Sequence, residues 1–478
     1  MKTFNKYKFI MCVIGSLLFS SCADDEVVLP TLGVAFETTG IGITATDPTA
    51  DVVITFSRPT TLESSIEIGV AQTLVQAGVD FTTTPAITGG VITLDVPTGS
   101  SSASFSVTRT ADLISSLSSV VFTLNSIESE EDTQISGNTT LELSFEAIAS
   151  PGNSLVANIG GPTEPNQVFV DFSLNSQVTA ERVSWDLGLF AGNEDKVIVN
   201  YSTYGMAQAL SKTDMNSVSS ADTVGFATEM RIGTAGADIY VDNPDKDLEK
   251  LVFADVSSTD ANNPVYIINR GGGPGTGTVN PGSVDVGSTP RGWKKVRILM
   301  DGDDYVIQHA DISTTSFTET RITKDDSYNF NYFSFDDGAV VVEPVKSNWD
   351  IVFSVSTNII NFGAGDGAYG FSDFVLSNRQ GGTQVARIEL NRDSDTGEIL
   401  PGQTEYDDFA AADLNTLTFA VEGNTIGSSW RSVFSRTAHN YVYFVIKDAE
   451  GNNYKLQMLG ILDQDGNRGN TSFKYELL

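Results

Sequence analysis

Few residues in this chain can do covalent or metal chemistry. Its 478 residues include two histidines, His309 and His439, and two cysteines, Cys12 and Cys22. No Gly-x-Ser-x-Gly elbow, His-Glu-x-x-His pair or phosphate-cradling glycine loop occurs, and nucleophilic triads lack the parts they need. The chain is therefore not read as an enzyme. Carboxylates are plentiful, and some fall in short clusters: Glu128-Ser-Glu-Glu-Asp132, Asp393-Ser-Asp-Thr-Gly397 and Asp463-Gln-Asp-Gly466. A helix-flanked calcium loop needs a distal bidentate acid, which is missing after the last two. They read as turns, as does Asp448-Ala-Glu-Gly451-Asn452, where the glycine can take a positive φ.

Cys22 has a different chemistry. Lys2, Lys6 and Lys8 precede an apolar run from Phe9 to Phe19, too short to span a bilayer. Ser20-Ser21-Cys22 follows and resembles a bacterial lipobox, with Phe19 where leucine is usual. The expectation is cleavage after residue 21, a lipid on Cys22 and a tether over 22–29. The acidic Ala23-Asp-Asp-Glu26 stretch suits display at the surface of the outer membrane. Cys12 is lost with the signal, so Cys-ligated zinc and iron–sulfur sites are excluded.

Composition narrows the rest. A formal charge of −33 repels phosphate backbones, so no nucleic-acid partner is expected. With 40% hydrophobic and 9% aromatic residues the chain can bury a core. Short alternating runs predominate and long amphipathic helices are absent, which predicts an all-β protein. Residues 30–148 read as one sandwich, with strands such as Val52–Phe56, Val91–Val96 and Val120–Leu124. Within it, Ala77-Gly-Val-Asp-Phe81 followed by Val91-Ile-Thr-Leu and Ser101–Val107 resembles the Calx-β module, which implies an immunoglobulin-like sandwich. Residues 149–166, rich in Gly, Pro and Asn, read as a linker.

The remainder repeats itself. Copy A, 167–326, opens with Val168-Phe-Val-Asp-Phe172 and reaches Trp185-Asp186. Copy B, 327–478, opens with Tyr332-Phe-Ser-Phe335 and reaches Trp349-Asp350. Asn263–Ile268 matches Asn440–Val445, and Lys295–Met300 matches Tyr454–Leu459. Two tandem homologous β-domains are expected, with core tryptophans and an Asp fixing nearby backbone.

Copy B, through Asn348-Trp-Asp-Ile-Val-Phe353, Trp430, Val442–Leu456 and Gly469–Leu477, resembles the HmuY family. That resemblance implies an all-β lipoprotein of Gram-negative bacteria that captures haem, or a related porphyrin, and passes it to an outer-membrane, TonB-dependent haem receptor. It also implies axial haem ligands. The chain has no histidine where the family's pair is expected, between Phe371 and Thr437. His439, His309 and Met206 are the candidates that remain, with Met215 and Met230 as further thioethers. An adhesion or scaffold lipoprotein that keeps the fold without haem is the competing reading.

Overall fold

The computed structural model describes residues 30–478 apart from 45–47, 112–113, 115–117, 146–149 and 151. The signal segment, Cys22 and the tether lie outside the described residues. Strands dominate, and the helical pieces are short 3-10 turns, so the all-β expectation holds. The chain divides into two compact units, 1–147 and 148–478.

In the first unit, alternation of apolar and polar residues does what half-buried strands require. Val91–Val96 points Ile92, Leu94 and Val96 inward, and Thr49–Phe56 does the same with Val52, Ile54 and Phe56. Two five-stranded sheets close on that core. One runs Phe81–Thr84, Ser102–Arg109, Thr49–Phe56, Leu32–Phe36, Thr133–Ile135; the other runs Gly40–Gly42, Thr140–Ser144, Ser119–Ser129, Ser64–Thr73, Val91–Val96. The acidic loop 128–132 is tied down. The Glu131 carboxylate accepts from Arg58 at 2.7 Å and from the Thr61 backbone N–H at 3.1 Å.

The second unit has four β layers. The first outer sheet runs Met206–Ala209, Tyr266–Asn269, Trp293–Asp301, Asp304–Asp311, Thr318–Ile322. The second repeats that order with Gln384–Glu389, Val442–Lys447, Asn453–Gly460, Asn470–Leu477, and takes Gly152–Asn158 as its fifth strand. Two inner sheets lie between them, and there the copies exchange strands. Leu187–Phe190 of copy A pairs with Phe330–Ser334, the opening strand of copy B. Ile351–Asn361 of copy B pairs with Asn166–Asp171, the opening strand of copy A. Each sandwich core therefore mixes both copies: Val168, Val170 and Phe172 pack with Phe353 and Phe444, while Phe333 and Phe335 pack with Leu187 and Tyr266.

Three expectations change. The two tandem domains exist as two sandwiches, but neither is made of one copy alone. The stretch 149–166 is not a linker. Gly152–Asn158 is paired along its length with Asn470–Leu477, and Ala157 and Ile159 are fully buried. Glu164 is also buried, its carbonyl accepting from Arg182 at 2.6 Å. The closing strands of the two copies correspond one residue away from the match expected from their sequences. Tyr266 faces a sandwich core, whereas Tyr443 faces the opposite side of its sheet and Phe444 takes the inward place. A slip of one residue sends every side chain to the other face of a strand. In register, Lys295 corresponds to Lys455, each paired opposite the residue next to the inward aromatic.

The inner sheets pack on each other through a third core that holds both tryptophans. Trp185 meets Tyr332 edge-on at 4.9 Å, and Trp349 meets Phe169 edge-on at 5.1 Å, each ring contributed by the other copy. The adjoining aspartates do fix backbone, across the exchange. Asp186 accepts from the Phe335 N–H at 2.9 Å and Asp350 from the Phe172 N–H at 2.8 Å. Asp186 is also clasped by Arg270 at 2.9 Å through two nitrogens and by Arg291 at 3.0 Å. Glu343, buried at the same interface, accepts from the Asn329 and Phe330 N–H groups at 2.8 Å and from the Tyr332 hydroxyl at 3.2 Å. Burial pushes its carboxyl up to about 7.

Two outcomes follow from this packing. Asp186→Asn leaves the largely buried Arg291 without its ion-pair partner and Arg270 with Asp336 alone, and should cost about 3 kcal/mol in denaturant unfolding of the second unit. A carboxyl whose folded pKa is raised keeps its proton in the folded state after the unfolded chain has lost it. Stability from Glu343 is therefore lost as pH climbs from 4.5 through about 7. Glu343→Gln should remove roughly 3 kcal/mol of that slope, measured as the difference between wild-type and variant unfolding curves from pH 5 to 8.

Candidate functional site

The structure separates the predicted haem ligands. Met206, Met215 and Met230 are at most 1% exposed and pack with Val265 and Ile267 on the reverse face of the first outer sheet. That is the ordinary gap-filling place of methionine. His309 projects from Asp304–Asp311 into the rim of the first sandwich. Its ring lies 4.9 Å from Phe333 and 5.8 Å from Phe335, and Nε2 is 3.2 Å from the Thr320 hydroxyl. In register its counterpart in the second sandwich is Tyr475, since Val296 pairs with His309 and Leu456 with Tyr475.

His439 stands elsewhere, beside the second sandwich. A two-rung hairpin, Arg431–Ser432 with Thr437–Ala438, carries it, and its backbone N–H donates to the Trp430 carbonyl at 2.8 Å. The turn between the rungs exposes Phe434 to 99% and puts Arg436 at φ 59°. The His439 ring lies 4.8 Å from Tyr441, and the Arg392 guanidinium sits 3.5 Å from the Tyr441 ring centre. Partial burial, then Arg392, lower the imidazole's pKa, with Arg387 adding to them, while Glu389 and a hydrogen bond to the Arg431 carbonyl oppose. The ring is therefore shifted towards its neutral form. A neutral imidazole is the form that ligates metal. Sequence reading singled out His439 and the Tyr441 strand but not Arg392 or Phe434. The polar run Ser428–Thr437, with Trp430 and Phe434 inside it, was the signal for a hairpin there.

A partly enclosed cavity lies between the inner sheets and the segment 242–251. Its volume is about 40 Å³, and Tyr201, Lys246, Tyr332, Glu343 and Trp349 are in its wall. The Lys246 ammonium rests 3.5 Å from the centre of the Tyr201 ring, and burial pushes its pKa down and that of neighbouring Asp242 up. That volume has room for a few water molecules; sites for drug-sized ligands run to roughly 300 Å³ and above. A porphyrin does not fit there. Neither histidine is in its wall.

No curated protein matches the chain. The apo form of the Calx CBD1 domain is 14% identical, with 24% of this chain and 97% of that one covered and a TM-score of 0.21. A candidate carbohydrate-binding protein from Bacteroides ovatus is 10% identical, with 73% and 98% covered and a TM-score of 0.18. The family described as HmuY protein matches residues 163–475. That span takes in the exchanged opening strands, both Trp-Asp segments and nearly all of the last strand, and is about two thirds of the sequence. The chain belongs to the HmuY family.

Proposed function

We propose that this protein captures haem, or a related porphyrin, at the cell surface, using His439 as its single protein ligand to iron. The observation that carries the reading is the state of that imidazole. It is shifted towards the neutral form, stands beside Tyr441 and Arg392, and is partly open to solvent. The surroundings suit a planar dianionic cargo. Arg392 supplies positive charge for a carboxylate, and Phe434 offers an exposed apolar ring. Family membership supports the same cargo. A pair of axial ligands does not fit, because His309 is packed into the other sandwich and the three methionines are core residues.

Location is part of the proposal. A lipid on Cys22 would hold the protein to the outer membrane and display it outward, with a TonB-dependent receptor taking the cargo. Among the described residues no helix is long and apolar enough to cross a membrane. The competing reading, a β-scaffold without haem, draws on the same burial of Met206 and packing of His309.

Haemin added to the purified mature chain should give a shifted Soret band characteristic of one nitrogen ligand. His439→Ala should weaken binding about tenfold or more, a loss of at least about 1.4 kcal/mol, whereas His309→Ala should leave it unchanged. Because the His439 pKa is lowered, binding should persist to pH 6.5 and decline only below it, as the ring protonates. No Soret change in either oxidation state up to tens of micromolar haemin would establish the scaffold reading.

A further inference from the structure

The two sandwiches treat one place in the fold in opposite ways. In the first, Asp186 and Asp336 share that place with Arg270, Arg291 and Lys294. The register assigns each residue a counterpart in the second. Ile268 pairs with Lys294, and Ile446 pairs with Tyr454, so Lys294 corresponds to Tyr454 and Arg270 to Asp448. Asp350 corresponds to Asp186, since each receives the N–H of the exchanged phenylalanine. Two cations have thus been replaced by a carboxylate and a phenol. Asp171, two residues after Phe169, adds another carboxylate where the first sandwich has Ser334.

The result is a buried acidic group with no countercharge. Asp171, Asp350 and Asp448 are 2%, 5% and 3% exposed. Asp448 works against the charge on both Asp171 and Asp350, and no Lys or Arg is among the leading influences on either. Two polar atoms there lack partners. One is Asp171 Oδ2. The other is the hydroxyl of Tyr454, whose ring is fully buried and which is coupled to Asp448, Asp350 and Asp171. Buried charge without a partner is costly, and so is a buried unpaired hydroxyl. All the free atoms are hard oxygens.

We propose that a calcium ion occupies this place, bound by Asp171 Oδ2 and the Asp350 carboxylate beside the Tyr454 hydroxyl, and supplies the charge that Arg270 supplies in the first sandwich. Oxygen-only ligation suits calcium. Among the described residues no three carboxyl, imidazole or thiol groups surround one point at metal-binding spacing. The shell is therefore two carboxylates completed by hydroxyl and water. Such a low-charge site belongs in the range of extracellular calcium modules, with Kd on the order of 10⁻⁴–10⁻³ M.

Thermal unfolding of the mature chain, followed by tryptophan fluorescence, tests this. All four tryptophans, at 185, 293, 349 and 430, lie in the second unit, so the first contributes no signal. About 5 mM CaCl₂ should raise the midpoint by about 2–4 °C over EDTA, and MgCl₂ at the same concentration should do much less. Asp171→Asn, which removes the unpartnered oxygen, should abolish the calcium shift. Tyr454→Phe, which keeps the buried ring, should reduce it. No calcium shift in the wild type, an equal shift with magnesium, or a full shift in both the Asp171→Asn and Tyr454→Phe proteins would overturn the proposal and leave the carboxyls neutralised by protons.

Discussion

Two hydrogen bonds hold the HmuY-type unit to its topology: Phe335 N–H to Asp186 and Phe172 N–H to Asp350. Each fastens the opening strand of one copy to the Trp-Asp segment of the other. A buried carboxylate accepting backbone N–H bonds is a strong and directional restraint. With both in place, the inner sheets must be shared. The tryptophans then meet aromatic rings of the opposite copy, and three cores stack as one body. Removing the exchange would leave each copy with an incomplete inner sheet and a bare edge, a state that invites wrong pairing.

Much of this was legible in the sequence, and what was not has a physical explanation. The repeat, the strand content and the buried Trp-Asp pairs are local patterns, so they could be read directly. Exchange is a pairing choice between distant strands, and a strand's residues do not name its partner. The stretch 149–166 looked like a linker because Gly, Pro and Asn flank a strand of only seven residues, Gly152–Asn158. The slip between Tyr266 and Tyr443 arose because the closing strands are apolar on both faces. Without alternation, nothing in the sequence fixes which tyrosine points inward. At the site, His439 was visible as a residue type. Its surroundings were not, because Arg387, Arg392 and Tyr441 come together through a sheet rung and a cation–ring contact.

The two halves have diverged in what their charges do. The first has neutralised its interior by ion pairs around Asp186 and filled its reverse face with methionine. The second leaves Asp171 and Asp350 without an ion pair among the described residues and carries an arginine-flanked imidazole at its margin. A duplicated fold offers this division, since one half can be specialised for rigidity while the other retains polar features that ligands need.

The pairing of Gly152–Asn158 with Asn470–Leu477 also has a consequence in time. The earliest strand of the unit to leave the ribosome finds its neighbour only after every other described strand of that unit has been made. Until then that edge stays open, and the second sandwich cannot close, so the slow, long-range pairing of this one strand completes the fold.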